Sequence, residues 1–181
     1  MSYKIKKVAV LGSGVMGSGI ACHLANVGID VLMLDIVPKN LEKGKSRNMV
    51  ADESLSRVVK SKPNPIYNKE FLKRIKTGNF DDDFEKISSA DWIIEVVVEN
   101  LEIKKQIFEK VEKYKSKDSF VSSNTSSIPI NLLCEGRSKD FKKNFCGTHF
   151  FNPARYMRLL EIIPQTETDS KLVEFLMDFG D

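Results

Sequence analysis

Lys7-Val-Ala-Val-Leu11 runs directly into Gly12-Ser13-Gly14-Val15-Met16-Gly17, and this junction decides the fold. The first five residues are apolar and rich in β-branched side chains, which predicts a short buried strand. From Val15 to Val27 the apolar residues Met16, Ile20, Leu24 and Val27 recur at helical spacing, and Gly28 supplies the stop. A glycine-rich turn between a strand and a helix is the context in which GxGxxG binds phosphate. Gly12 permits the tight turn. Gly14 lets the backbone approach a pyrophosphate, and Gly17 lets the helix pack closely on the strand. The free N–H groups and positive dipole end of the helix then face the anion.

Asp30 to Ile36 reads as a second strand carrying Asp35 near its end, eighteen residues beyond Gly17. An acid at about that distance accepts hydrogen bonds from the adenosine ribose and repels a 2′-phosphate. No arginine follows it, so NAD is favoured over NADP. FAD is the alternative dinucleotide for the same turn. Context, spacing and strand order argue against a glycine-rich turn with an incidental surface acid.

Outward from this unit, strands and helices alternate. Pro38 is expected to open a helix running to about Lys62, where Pro63 and Pro65 stop it. Residues 66–90 are charged, and the acidic run Asp81 to Asp83 marks a helix start before Phe84. Trp92 to Val98 reads as a strand and Leu101 to Tyr114 as an amphipathic helix presenting Ile103, Ile107, Phe108, Val111 and Tyr114. Ser119 to Ser122, Asn144 to Phe150 and Leu159 to Ile163 read as strands. Asp169 caps a last helix. The alternation predicts an α/β fold of the Rossmann type, a doubly wound, mainly parallel sheet flanked by helices, over residues 1–181.

Composition narrows the function. With 28 Lys and Arg against 25 Asp and Glu, the net charge of +3 gives no reason to expect nucleic acid or an acidic membrane as partner. No apolar run approaches the ~20 residues of a membrane span, and glycines interrupt the apolar stretch after the N-terminal lysines before a signal sequence forms. Cys22, Cys134 and Cys146 make no CxxC pair, so a reducing, cytoplasmic setting is expected rather than a disulfide framework. The histidines are His23 and His149, which excludes a His-rich metal site, and no metal is expected. His23 reads as a residue at the core edge or surface.

A cofactor does not name a reaction. Gly147-Thr-His149-Phe-Phe-Asn152-Pro153 places a histidine near the end of an apolar run, and ligands of such sheets bind beyond the strand ends. Glu161 follows within the apolar stretch Leu159 to Ile163, where a carboxylate needs a partner. A His149–Glu161 pair would fix one imidazole tautomer and raise its basicity, suiting it to take a proton from a hydroxyl as hydride leaves. The polar run Asn124 to Ser127 fits either ligand binding or a helix cap. Glu99 fits either the ligand crevice or a charge at the start of the helix at 101. Glu95, in an apolar strand, has no evident task beyond that of a partly buried structural carboxylate.

Taken together, Gly12-x-Gly14-x-Met16-Gly17, Glu99-Asn100, Ser123-Asn-Thr-Ser126-Ser127 and His149-Phe-Phe-Asn152-Pro153 resemble the NAD-binding domain of L-3-hydroxyacyl-CoA dehydrogenases across nearly the whole chain. Asn152 to Glu161 is similar to bacterial forms fused to an enoyl-CoA hydratase. The resemblance implies His149 as general base, Glu161 as its acidic partner and Ser126 as the residue holding the substrate 3-oxygen. It implies that Gly12, Gly14, Val15, Met16, Gly17, Asp35, Glu99, Lys104 and Asn152 meet NAD. The acyl-CoA substrate is expected to reach the region after the second strand, where Ser54, Arg57, Lys60 and Lys62 lie. Ser61 stands where the family carries a lysine. Phe179-Gly180-Asp181 does not read as a domain boundary. A C-terminal helical domain is expected to follow, supplying an active-site asparagine and a homodimer interface. Another β-hydroxyacid dehydrogenase, or a dinucleotide-binding module without catalysis, remain the alternatives.

Overall fold

The computed structural model describes residues 4–181. Its seven strands form one sheet in the order β3-β2-β1-β4-β5-β6-β7. They are β1 (Lys7–Leu11), β2 (Asp30–Asp35), β3 (Ile75–Asn79), β4 (Trp92–Glu95), β5 (Phe120–Ser123), β6 (Phe145–Phe150) and β7 (Leu160–Pro164). All neighbours run parallel except β6 and β7. The helices are α1 (Val15–Asn26), α2 (Met49–Val58), α3 (Leu101–Tyr114), the short α4 (Ile130–Leu133) and α5 (Lys139–Lys143), and α6 (Ser170–Gly180).

Alternation along the buried strands builds a core on each face. Val8 and Val10 join Val31, Met33, Trp92 and Ile94 beneath α1 and α6. Ala9 and Leu11 join Leu32, Leu34, Ile93 and Val121 beneath α3. Burial on both faces is why the central strands read as continuous apolar runs. The chain reverses direction across the sheet between β1 and β4, both parallel to one another, and the crevice beyond their C-terminal ends is where such sheets bind ligands.

Most elements fall within a residue or two of their predicted bounds, but four expectations need correction. The helix expected from Pro38 to Lys62 is only Met49–Val58. Residues 38–48 offer Leu41 as their one large apolar side chain, and Gly44 sits at φ +88°, so this stretch has no helical face to bury and crosses the surface as a loop. Instead Arg47 reaches Asp82 (2.6 Å) and Asp81 (3.3 Å) on the far side of β3. The strand β3 (Ile-Lys-Thr-Gly-Asn) was not anticipated. It lies at the sheet edge, where a single large apolar residue suffices. The helix expected at Phe84 is a 3₁₀ segment, Phe84–Ser89. The strand expected over Trp92–Val98 ends at Glu95, because the Val97 N–H turns onto the Glu95 carboxylate (2.8 Å).

Candidate active site

The glycines obey a steric division of labour. A Cβ on Gly12, which has φ +106°, would lie 2.5 Å from the Val96 carbonyl oxygen, so the turn fits tightly against the exit of β4. A Cβ on Gly17 would lie 1.9 Å from the Gly12 carbonyl oxygen. A Cβ on Gly14 would meet nothing within 4 Å and project into open space. That space is what a pyrophosphate needs. Gly14 caps α1 without a side chain and the first turn carries no acidic residue, so the helix end is open to an anion.

Asp35, at the end of β2, is tied to this turn. Both the backbone N–H and the hydroxyl of Ser13 donate to its Oδ2 at 2.6 Å, and the Ile36 N–H donates to Oδ1 at 2.7 Å. Ser13 is fully buried, so the Asp35 carboxylate is held firmly beside the glycine turn. Sequence reasoning passed over Ser13. Its signal was a hydroxyl residue between two glycines, at the end of the strand neighbouring the one that carries the acid.

His149 lines the same cleft as the glycine turn and Asp35. His149 and Glu161 face each other across the antiparallel β6–β7 pair, with Nδ1 2.8 Å from Oε2. The His149 ring leans on Phe151 at 4.5 Å between centroids. The next backbone N–H, of Phe150, donates to the Asn124 side-chain oxygen (2.9 Å), joining the histidine strand to the loop after β5.

That loop is not a helix cap. α4 begins at Ile130, and residues 125–127 are instead gathered around Glu99. Glu99 Oε1 accepts from the Thr125 hydroxyl, the Ser126 N–H (3.1 Å), the Ser127 N–H (3.2 Å) and the Ser127 hydroxyl (3.1 Å). Its Oε2 lies 3.2 Å from Lys104 Nζ. Burial works against ionising Glu99. The Thr125 hydroxyl, Lys104 and the loop amides outweigh it and hold the carboxyl down at about 2. Asn100 takes the capping role at α3, its side chain accepting from the Ile103 N–H (3.0 Å). Glu99 is thereby free to serve the loop rather than the helix.

Lys104 is almost wholly buried and pairs with Glu95 as well, at 2.7 Å. Burial pushes the Glu95 carboxyl up, while the Lys104 ammonium and the donors Ser123 and Val97 oppose the shift. We read the contact as an ion pair, because Lys104 Nζ has only two carboxylates and the Val97 carbonyl around it. Removing one partner of such a pair costs about 3–5 kcal/mol.

A cleft of about 790 Å³ collects Gly12, Gly14, Val15, Met16, Asp35, Glu99, Lys104, Ser126, His149 and Asn152. Gly17 lies beneath it in the packed turn, and Glu161 stands behind the histidine. Ile103, expected in the core, is 41% exposed and lines this cleft. A neighbouring cleft of about 310 Å³ shares Gly14, Val15 and Asn152 and is lined by Ser54, Arg57, Ser61 and Lys62. Lys60 is exposed and outside that lining.

A parallel sheet with an open glycine turn at its reversal point, an acid at the end of the second strand and a His–carboxylate pair across the cleft define a Rossmann-type dinucleotide-binding domain. A family profile described as "3-hydroxyacyl-CoA dehydrogenase, NAD binding domain" matches residues 7–181. The chain is 52% identical over 192 aligned residues to a Bacillus subtilis protein named "Probable 3-hydroxyacyl-CoA dehydrogenase", covering all of this chain and 24% of that one. It is 45% identical to a Deinococcus radiodurans protein of the same name, covering 98% of this chain and 51% of that one. The crystal structure of (S)-3-hydroxybutyryl-CoA dehydrogenase from Ralstonia eutropha superposes with a TM-score of 0.76 at 29% identity, over 98% of this chain and 60% of that one. This chain belongs to the NAD-binding-domain family of the 3-hydroxyacyl-CoA dehydrogenases, and its cofactor is NAD. It spans about a quarter and about half of the lengths of those two curated relatives.

Proposed function

We propose that the protein to which this domain belongs oxidises an L-3-hydroxyacyl-CoA to the 3-ketoacyl-CoA in fatty-acid β-oxidation. The observation that carries the reading is the His149–Glu161 pair, aimed into the same cleft as the phosphate turn. NAD, when bound, supplies the hydride acceptor. Gly12, Gly14 and the start of α1 would receive its pyrophosphate, and Asp35 its adenosine ribose.

The chain's own residues handle the proton. A carboxylate at Nδ1 keeps the ring proton on that nitrogen, leaving the Nε2 lone pair to accept the proton of the substrate hydroxyl. The same carboxylate stabilises the imidazolium that results. Ser126, at the mouth of the loop held by Glu99, orients the substrate 3-oxygen, and Asn152 borders both clefts where nicotinamide and acyl group would meet. Ser54 offers a hydroxyl in the smaller cleft. The expected contribution of Lys60 to coenzyme A fits less well than that of Arg57 or Lys62, which line that cleft; guanidinium and ammonium groups suit its phosphates.

We also propose a cytoplasmic setting, which the free cysteines Cys22, Cys134 and Cys146 suit, and a homodimer formed through a C-terminal helical domain, as the family resemblance implies. The decisive experiment assays the full-length protein with acetoacetyl-CoA and NADH. Consumption of NADH that depends on His149 is expected, and its absence across acyl lengths would overturn the reading.

A further inference from the structure

The proposed reaction leaves the buried carboxylate of Glu95 without a task. Glu95 ends β4, is fully buried and lines neither cleft. Its Oε1 accepts from Lys104 Nζ (2.7 Å) and from the Val97 N–H (2.8 Å), and its Oε2 accepts from the Ser123 hydroxyl (2.5 Å). Two arms lead from it to the loop that carries Ser126. The first runs through Lys104 to Glu99, and from Glu99 Oε1 to the Ser126 and Ser127 amides. The second runs through Ser123, whose oxygen accepts the Thr125 N–H (3.2 Å). The Glu95 carbonyl also accepts the Asn124 N–H (2.9 Å), and Asn124 in turn holds the strand next to His149.

The placement of Lys104 makes this arrangement demanding. It sits in the first turn of α3, where the helix dipole disfavours a cation, and it is buried rather than reaching out to water. Only a fixed carboxylate beneath it keeps its head group inside. With that anchor, the ammonium draws one oxygen of Glu99 inward and leaves the other turned to the loop. Without it, Lys104 has Glu99 as its remaining carboxylate and pulls on it undivided.

We propose that Glu95 is a positioning residue: through Lys104 and Ser123 it fixes Glu99 and the 124–127 loop, and so sets Ser126 against His149. The proposal rests on the dehydrogenase reading only for its catalytic consequence; the ordering of the loop stands independently of it. Glu95 touches neither NAD nor substrate in this scheme.

The test is Glu95→Gln in the full-length protein, an isosteric change that removes the charge. Two readouts are followed: steady-state kinetics, and hydrogen exchange of the 124–128 backbone amides without ligand. Turnover is expected to fall about tenfold or more while KM for the acyl-CoA stays within about threefold. Exchange at 124–128 is expected to quicken about tenfold, as one charge-assisted hydrogen bond would dictate. Glu99→Gln should do the same, and the double variant should lose less than the sum of the two single losses, because the Lys104 arm is common to both. A merely structural role for Glu95 gives losses that add in the double variant, and that result overturns the proposal. Unchanged exchange at 124–128 also overturns it. Should Glu95→Gln fail to fold, Ser123→Ala trims one arm alone and is expected to quicken the same amides; no change there is equally fatal. A wild-type protein inactive on 3-hydroxyacyl-CoA would refute the dehydrogenase reading, while the exchange data would still decide the role of Glu95.

Discussion

His149 and Glu161 are directly opposite partners in the β6–β7 register, so the 2.8 Å contact between them is fixed by strand pairing rather than by a loop. A register slip of one residue would turn Glu161 to the opposite face of the sheet and leave the imidazole alone. Glu161→Gln in the full-length protein is therefore expected to lower turnover about ten- to a hundredfold, with NAD affinity unchanged. His149→Ala should lower it about a hundredfold or more, within the range of general acid–base catalysis. Calorimetric NAD binding alongside stopped-flow turnover separates the two effects. Loss of NAD binding in either variant would contradict the assignment.

On the proposed reading, Asp35 is the choice point between the two nicotinamide dinucleotides. Asp35→Asn keeps the shape and removes the charge that hydrogen-bonds ribose and repels a 2′-phosphate. NAD is expected to bind about tenfold more weakly, as loss of a hydrogen bond to a charged group implies, while NADP gains. Ser13→Ala should shift NAD in the same direction by less, because it loosens the carboxylate without removing it. Titrating each variant with both cofactors measures the ratio.

The glycines of the turn should separate folding from binding. Gly17→Ala puts a methyl 1.9 Å from a backbone oxygen, which cannot give way as a flexible side chain can, and it is expected to lower stability by about 1–3 kcal/mol or more. Gly14→Ala meets no protein atom and should leave the melting temperature alone while weakening NAD. Thermal melts with and without NAD distinguish the two. Equal destabilisation by both would refute the steric argument.

Acid should weaken the domain in two windows. Burial, reinforced by the Arg155 charge, pushes His23 down from its ordinary value, and its Nδ1 finds no hydrogen-bond partner among the described residues. The folded state thus prefers the neutral ring. Stability from this preference is complete above about pH 6.5 and is lost as pH falls through the lowered value. Glu99 acts lower. Its depressed folded value means that its contribution is complete above the ordinary carboxylate range and drains away toward about pH 2. Melting curves across pH should flatten in the upper window for His23→Gln and in the lower window for Glu99→Gln. A wild-type slope retained by His23→Gln would remove His23 from the explanation.

The central half of the sheet was legible because strands buried on both faces write long apolar runs, and because the glycine turn has a fixed place between strand and helix. Loop 38–48 was misread since Pro38 resembles a helix start, while the lack of an apolar stripe over residues 39–48 was the stronger evidence. β3 escaped notice because an edge strand needs few apolar residues. Within the site, the reach of Glu161 to His149 followed from a carboxylate stranded in apolar sequence. Glu95, also set in an apolar strand, reads from sequence only as a partly buried structural carboxylate. Lys104, nine residues on, becomes its partner only once α3 folds back over the end of β4, a juxtaposition that spacing alone does not reveal.

The place of β7 in the sheet has an architectural consequence. The glycine turn is built at the centre, from β1, β2 and β4, whereas Glu161 sits on an outermost strand, the one antiparallel strand among the described residues. On the proposed reading, holding the cofactor falls to the centre of the sheet and steering the proton to one edge. A lesion that peels the outer strand away would leave a domain that still captures dinucleotide but has lost its chemistry, a competitor for cofactor rather than a catalyst.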